Sequence, residues 1–358
     1  MYDLIVIGGG PAGTSAAITA AQAGASVLLF ERGRFPRHKV CGEFVSAESL
    51  ALLTALLSKT ASELLQSRPR IDRSRMFIDE HVLRAPIDPP AASISRHDLD
   101  AALWRAALDS GAETRDQTTV QAVSGRGPFQ ITSPGGPLQG RAVIDATGRR
   151  SNLSVRQGHD NNSKGKWIGL KAHFSELSPA QSVDLYFFSG GYCGVQPVGV
   201  SQVNVCAMVR ADIASRLEAV FAQNPALLER SSGWRPLTQP IGTSQLVFRE
   251  PQPVRDGILL AGDAAGFVDP FVGDGISLAL RSGALAANSL IASFRAEVTL
   301  EQSCVAYQEQ YQKQLAPVFR AATRIRRILQ MPQPVRKPIY AVLKKAPALA
   351  AYLVRATR

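Results

Sequence analysis

Leu4-Ile5-Val6-Ile7-Gly8-Gly9-Gly10-Pro11-Ala12-Gly13 opens the chain, and its reading decides the fold. Four apolar, mostly β-branched residues predict a short buried strand. The spacing Gly8-x-Gly10-x-x-Gly13 permits a tight turn, a close backbone approach to a pyrophosphate, and close packing of helix on strand. Pro11 and Ala12 begin an Ala-rich helix that runs to about Ala23, with Gly24 placed to cap it. A second apolar run, Ser26 to Phe30, ends at Glu31, eighteen residues after Gly13. Together they form a βαβ unit with a right-handed crossover. The helix N-terminus faces the phosphates of a dinucleotide, and Glu31 is placed to accept from a ribose hydroxyl.

The rest of the composition narrows the class. The chain has 358 residues, 45% hydrophobic and 19% charged, which allows one large domain or two joined ones. That balance excludes disordered, collagen-like and disulfide-scaffold proteins. The N-terminus has no basic segment of a signal peptide, and no window approaches 18 uninterrupted apolar residues. Cys41, Cys193, Cys206 and Cys304 lack metal-ligand spacing, so no metal is expected. The expectation is a cytoplasmic protein with reduced thiols.

Further along, Ser93 to Arg96 leads into a helix over 98–109, and strands are expected at 120–123, 129–132 and 142–144. Alternating runs at 167–174, 183–188, 203–209 and 245–248 predict a mainly antiparallel sheet in a second lobe. Ile258 to Leu260 is another strand, and a long helix follows from about Gly275 to Ile291. Nucleotide-binding signals recur at residues 8, 145 and 262. The fold class is therefore α/β, with a discontinuous Rossmann-like domain (1–70, 92–155 and 250–300), an inserted substrate lobe (71–91 and 156–249) and a basic helical tail (301–358).

Gly262-Asp263-Ala264-Ala265-Gly266, followed by Pro270, Gly273 and Gly275-Ile276, resembles the third signature of FAD proteins of the p-hydroxybenzoate hydroxylase and geranylgeranyl reductase superfamily. The resemblance implies FAD, with Asp263 on the ribityl chain and the helix from Gly275 facing flavin N1 and O2. A helix dipole there stabilises the anionic reduced flavin. Phe35-Pro36-Arg37-His38-Lys39-Val40-Cys41-Gly42 resembles the loop after the second strand in geranylgeranyl reductase-like flavoproteins, where it lies beside the flavin. Arg32, Arg37, Lys39, Cys41 and Gly42 join the cofactor contacts by that resemblance, and Arg96 by its loose match to the family's Arg-x-x-Leu/Phe-Asp pattern. By chemistry alone, Arg37, His38 and Lys39 are either a phosphate-facing group or a solvated loop. Cys41 is either a flavin-side catalytic thiol or an inert small residue, and Arg96 either touches flavin or caps structure.

Asp145-Ala146-Thr147-Gly148-Arg149-Arg150-Ser151 resembles the superfamily's middle motif, with Thr147-Gly148 where hydroxylases carry Asp-Gly. Tyr192-Cys193-Gly194-Val195-Gln196-Pro197, with Asn204-Val205, resembles a Tyr-x-Trp-x-Phe-Pro…Asn-Val pattern of geranylgeranyl reductases. Gly194 and Gln196 replace two of its aromatics, which implies a reshaped pocket, and the segment departs from the halogenase pattern. Tyr192 is either a proton donor to a substrate carbon or a strand aromatic. The resemblance implies a reductase of carbon–carbon double bonds in a hydrophobic, isoprenoid- or polyketide-like substrate. NAD(P)H is the transient donor, since no second strand-GxGxxG-helix unit exists. The alternatives are a monooxygenase working through a flavin C4a-hydroperoxide and a membrane-associated FAD-binding protein without catalysis.

The tail carries the whole charge excess. Residues 311–358 hold eleven Lys and Arg and no acid, against a net charge of +11 for the chain. Leu315, Val318, Phe319, Ala322, Ile325 and Leu329 share one helical face, while Lys313, Arg320, Arg324 and Arg327 fall largely on the other. The pattern resumes at Ile339, Tyr340, Leu343, Lys344 and Lys345. Two readings stand: a basic helix on the anionic inner face of a membrane, or a helix packed on its own domain. Nucleic acid is not expected, because no reader motif or aromatic platform accompanies the bases.

Overall fold

The computed structural model describes residues 1–58, 61–149, 153, 166–243, 245–267, 269–329 and 331. The opening βαβ unit forms as the sequence dictates: β1 (Tyr2–Ile7), α1 (Pro11–Gln22) and β2 (Val27–Phe30), with β1 and β2 parallel. Next come β3 (Phe44–Val45), α2 (Ala47–Leu57), α3 (Ala61–Gln66) and the hairpin of β4 (Arg70–Ile78) with β5 (His81–Ser93). Helix α4 (Arg96–Asp109) is capped by Ser95, whose hydroxyl accepts from Asp98 N. Then follow β6 (Glu113–Arg115), β7 (Ala122–Ser124), β8 (Phe129–Ser133) and β9 (Gly136–Asp145).

The middle of the chain gives β10 (Trp167–Ser175), β11 (Ser182–Phe188), β12 (Gly191–Gly199) and β13 (Gln202–Arg210), then α5 (Leu217–Phe221) and α6 (Pro225–Ser231). Short strands β14 (Arg235–Pro236) and β15 (Ile241–Gly242) precede β16 (Val254–Arg255) and β17 (Ile258–Leu260). Helices α7 (Gly275–Phe294), α8 (Leu300–Gln314) and α9 (Ala316–Leu329) complete the order. Helix α7 is long and apolar enough to cross a membrane, yet over half of its apolar window is buried inside the protein.

Two sheets result. The first runs β16-β17-β9-β1-β2-β6, parallel from β17 to β6, with the β7–β8 hairpin attached to β9. The second runs β14-β10-β13-β12-β11-β4-β5-β3, antiparallel except where β4 meets β11. This is the expected Rossmann-like sheet with a mainly antiparallel second sheet. Two details differ from expectation. Gln245 to Phe248 contributes only an isolated bridge, Trp167 to Leu246, because its side chains turn into an aromatic cluster instead of a ladder. The β4–β5 hairpin was not expected: residues 71–91 fall in the substrate lobe with no element assigned, yet Leu83, Ala85 and Ile87 alternate buried beside exposed Arg84, Pro86 and Asp88.

The main core lies between the first sheet and helices α1, α4, α7 and α8, and contains Leu4, Val6, Ile18, Leu29, Leu99, Leu103, Leu280 and Tyr307. Each fully buried Leu or Ile contributes roughly 1.5–3 kcal/mol of transfer free energy. Leu315, at the end of α8, and Val318, Phe319 and Ala322 of α9 are buried in the same core, so this part of the tail packs on its own domain. Ile339, Tyr340, Leu343, Lys344 and Lys345 lie outside the described residues.

Candidate functional site

The glycine loop is built by exclusion of side chains. A Cβ on Gly13 would lie 1.8 Å from the Gly8 carbonyl oxygen, and Gly8 itself has φ +111°. A Cβ on Gly8 would meet the Ala146 oxygen at 2.3 Å and Thr147 N at 2.9 Å. The first and middle motifs are thus in direct backbone contact. The third joins them: Ala261 N donates to the Asp145 carbonyl at 2.9 Å, and a Cβ on Gly262 would lie 2.9 Å from that of Ala12. Gly262 N also donates to Ser282 Oγ on α7 at 2.8 Å. Three motifs separated by more than a hundred residues converge at the ends of adjacent parallel strands, where ligands bind in open α/β sheets.

Glu31, 5% exposed, accepts from Gly9 N at 2.8 Å and Gly33 N at 2.7 Å and pairs with Arg37 at 3.0 Å. Arg37 is therefore no solvated loop residue, although Arg32 is exposed. Burial, reinforced by the Arg37 charge, pushes the Lys39 ammonium down to about 8. Arg96 forms a bidentate pair with Asp100 at 2.6 and 2.7 Å, which holds its guanidinium charged against the opposing cost of burial. One of its terminal nitrogens lies 3.9 Å from where a Cβ on Gly10 would be.

Thr147 donates from both N and Oγ1 to Asp145 Oδ1, at 3.0 and 2.6 Å, and Gly148 follows with φ +84°. The Asp263 carboxylate lies 3.6 Å from Arg149 Nε. Arg150 and Ser151 lie outside the described residues. Pro270 opens a single helical turn that Gly273 ends at φ +77°, after which Gly275 and Ile276 start α7. Asp274, beside them, is buried, and burial raises its carboxyl to about 6. Its Oδ1 accepts from Ser46 Oγ at 2.8 Å, while Oδ2 has no partner.

Cys41 and Gly42 are held from the second sheet, because Asn204 Nδ2 donates to both carbonyls at 3.0 and 2.9 Å. Burial raises the Cys41 thiol, so it keeps its proton at neutral pH. Tyr192 is not hydrogen-bonded to any of these groups. Its hydroxyl is buried beside Asp269, and burial, reinforced by that carboxylate, holds it protonated. The ring sits with Phe187, Phe267, Phe271 and Leu246 in an apolar cluster, touching the Pro270–Gly273 turn through Phe271.

The sequence reading missed Glu43, Lys171 and His173. Glu43 is fully buried with φ +63°, and its Oε1 accepts from Lys171 Nζ and from Arg96 N at 2.8 Å. Its Oε2 faces His173 Nε2 at 2.7 Å. These donors hold its carboxyl below the usual range although burial acts the other way. The available signal was an acid directly after Cys41-Gly42 and two bases spaced i, i+2 on one strand.

The residues fit FAD. Among the described residues no atom lies within 4 Å of where a Cβ on Gly42, Gly148 or Gly275 would be, so three of the implied contact glycines present bare backbone there. The helix N-terminus at Pro11, with Arg37 and Lys39, suits a pyrophosphate, and the start of α7 suits an electron-rich ring.

Comparison with known proteins agrees. Residues 3–158 match the model of the family described as FAD dependent oxidoreductase. A menaquinone reductase of Mycobacterium tuberculosis is 31% identical over 324 residues, covering 80% of this chain and 76% of that protein. Digeranylgeranylglycerophospholipid reductase 2 of Methanopyrus kandleri is 25% identical over 361 residues, covering 91% and 86%. A geranylgeranyl bacteriochlorophyll reductase-like structure from Thermoplasma acidophilum superposes with TM-score 0.75 at 20% identity, over 98% of this chain and 91% of that one. A flavin-dependent brominase gives TM-score 0.82 at 21% identity, over 99% and 93%. The last two establish shared fold alone.

Proposed function

This chain belongs to the geranylgeranyl reductase-like family of FAD-dependent oxidoreductases, and from that premise we propose that it reduces carbon–carbon double bonds in a hydrophobic, isoprenoid- or polyketide-like substrate, with NAD(P)H as electron donor. FAD is its cofactor, and when bound it supplies two-electron hydride chemistry. The observation that carries the substrate class is the apolar cluster of Tyr192, Phe187, Phe267, Phe271 and Leu246 abutting the Pro270–Gly273 turn. It offers a water-excluding surface beside the segment that fits the ring.

The chain's own residues divide the work. Gly8, Gly10, Pro11, Ala12 and Gly13 bring backbone and helix dipole to the phosphates, with Arg37 and Lys39 adding charge and Glu31 an acceptor for ribose. Asp263 with Gly262, and Thr147 with Gly148, hold the chain between phosphates and ring. Pro270, Gly273, Gly275 and Ile276 place the positive end of α7 where electron density gathers on reduction. Cys41 and Tyr192 are the candidate proton-holding groups, both protonated at neutral pH, and Arg96 with Gly42 completes that side. The test is anaerobic: FAD-loaded, photoreduced protein is mixed with menaquinone-4 or a geranylgeranyl lipid. Mass spectrometry after air reoxidation of any quinol should show product that has gained two hydrogens in its isoprenoid chain. Product that appears only in air and carries an added oxygen would replace this reading with the monooxygenase.

A further inference from the structure

Three histidines connect the buried Glu43 to the protein surface. His173, on β10, faces Glu43 through Nε2 at 2.7 Å. The His38 ring stands edge-on to it, with centroids 5.4 Å apart at 89°. The His97 ring is tilted 30° to that of His38, with centroids 4.9 Å apart. His97 is 40% exposed and pairs through Nδ1 with Asp98 at 3.0 Å, and Asp98 in turn pairs with Arg68 at 2.8 Å. Exposure falls along the line from 40% at His97 to 7% at His173 and 0% at Glu43. The middle member is incomplete: His38 Nδ1 is buried and has no partner among the described residues.

We infer that His97, His38 and His173 form a proton relay, with Glu43 as the counter-charge at its inner end, supplying solvent protons to the reduction site. This rests on the proposed reductase reading. Reducing a double bond breaks its π bond and forms two C–H bonds. A hydride carries both electrons from the reduced cofactor to one carbon, the cofactor returns oxidised, and the other carbon takes a proton. That proton comes from water, and the inner end of the line is closed to water. The inner end also lies at the right place. Asn204 is opposite His173 in register and holds the Cys41 and Gly42 carbonyls, while Arg96 N donates to Glu43.

The charges facing the line suit transfer rather than storage. Lys171 neutralises Glu43, so an arriving proton makes His173 an imidazolium against a carboxylate that is already held ionised. His38 is held below its ordinary value by burial and by Lys171, His173 and His97, so it does not retain the proton it passes. Ring reorientation or a single water bridges nitrogens at these ring separations. The unpaired His38 Nδ1 leaves that ring a position at which a proton can be taken up and released.

The test uses the full chain. Exchange of the His173 Nε2 proton with solvent, read by ¹⁵N NMR, should slow about tenfold or more in His38→Phe and also slow in His97→Asn, whose loss removes only a half-exposed ring. In FAD-loaded, photoreduced protein, reoxidation by a geranylgeranyl lipid, which carries no quinone ring to take the electrons, should slow by a similar factor in His38→Phe. Added imidazole should restore part of it, with FAD affinity by fluorescence unchanged. Unaltered exchange in both variants overturns the relay, as does unaltered reoxidation with slowed exchange. Slowed exchange in protein whose wild-type form reduces no unsaturated acceptor refutes the reductase reading and leaves the relay standing.

Discussion

Replacing Lys171 by Met isolates the electrostatics at the centre of the molecule. The Lys171 side chain is 1% exposed and Glu43 is 0% exposed, so neither charge has water to fall back on. Met fills similar volume, and the loss is therefore of charge rather than packing. Glu43 would keep Arg96 N and His173 as donors but lose its obligatory cation. Breaking one partner of a buried pair typically costs about 3–5 kcal/mol, because the survivor is buried and uncompensated. Neutralising Glu43 as well, in Lys171→Met/Glu43→Gln, should recover most of that loss. The pH dependence has a definite sign. In the wild type Glu43 has a depressed value, so its contribution is present above the ordinary carboxylate range and lost as pH falls through the folded value. In Lys171→Met protonation of His173 or Glu43 relieves the imbalance, so the deficit against wild type should shrink as pH falls from 8 to 5. Urea titrations of the four proteins of this cycle would measure it. A single Lys171→Met variant within about 1 kcal/mol of wild type at pH 7 would refute the reasoning.

Gly13→Ala should destabilise the fold by about 3 kcal/mol or more and abolish FAD retention, since its Cβ would meet a backbone oxygen at 1.8 Å that cannot step aside; thermal melting and flavin absorbance check both. FAD affinity should fall as pH rises through about 8, where Lys39 loses its charge, and Lys39→Met should bind about fivefold more weakly at pH 7 with a flatter profile from 7 to 9, by fluorescence titration. Asp269 is raised to about 6 by burial, against the pull of Arg326. An acid raised in the folded state costs stability as pH climbs from its unfolded to its folded value. Asp269→Asn should remove that loss, roughly 3 kcal/mol between pH 4 and 6, in pH-dependent melts.

The cofactor side of the site was legible because it is made of backbone. Gly8, Gly13, Gly262 and Gly273 are where side chains cannot go, and such positions show in a sequence as glycine at fixed spacing. Arg37 and Glu31 were named separately, but their pairing depends on how the loop after β2 folds back, which no local pattern reports. The Glu43 hub was illegible for a related reason. Leu170-Lys171-Ala172-His173-Phe174 alternates as a strand with one wet face does, and only the covering loop at Cys41–Glu43 turns that face into an interior. The prolines of β5 hid a strand whose buried residues alternate over its first half, at Leu83, Ala85 and Ile87.

Arg326 of α9 lies 3.6 Å above the Phe248 ring, 5.8 Å from that of Trp167, and 3.4 Å from Asp269. The helix that carries it is rooted in the first sheet's core, while the rings it covers belong to the other side of the site. A single cation therefore acts as a clasp between the helix and the second sheet. Arg326→Ala would leave two rings and a buried carboxylate without their shared cover at once.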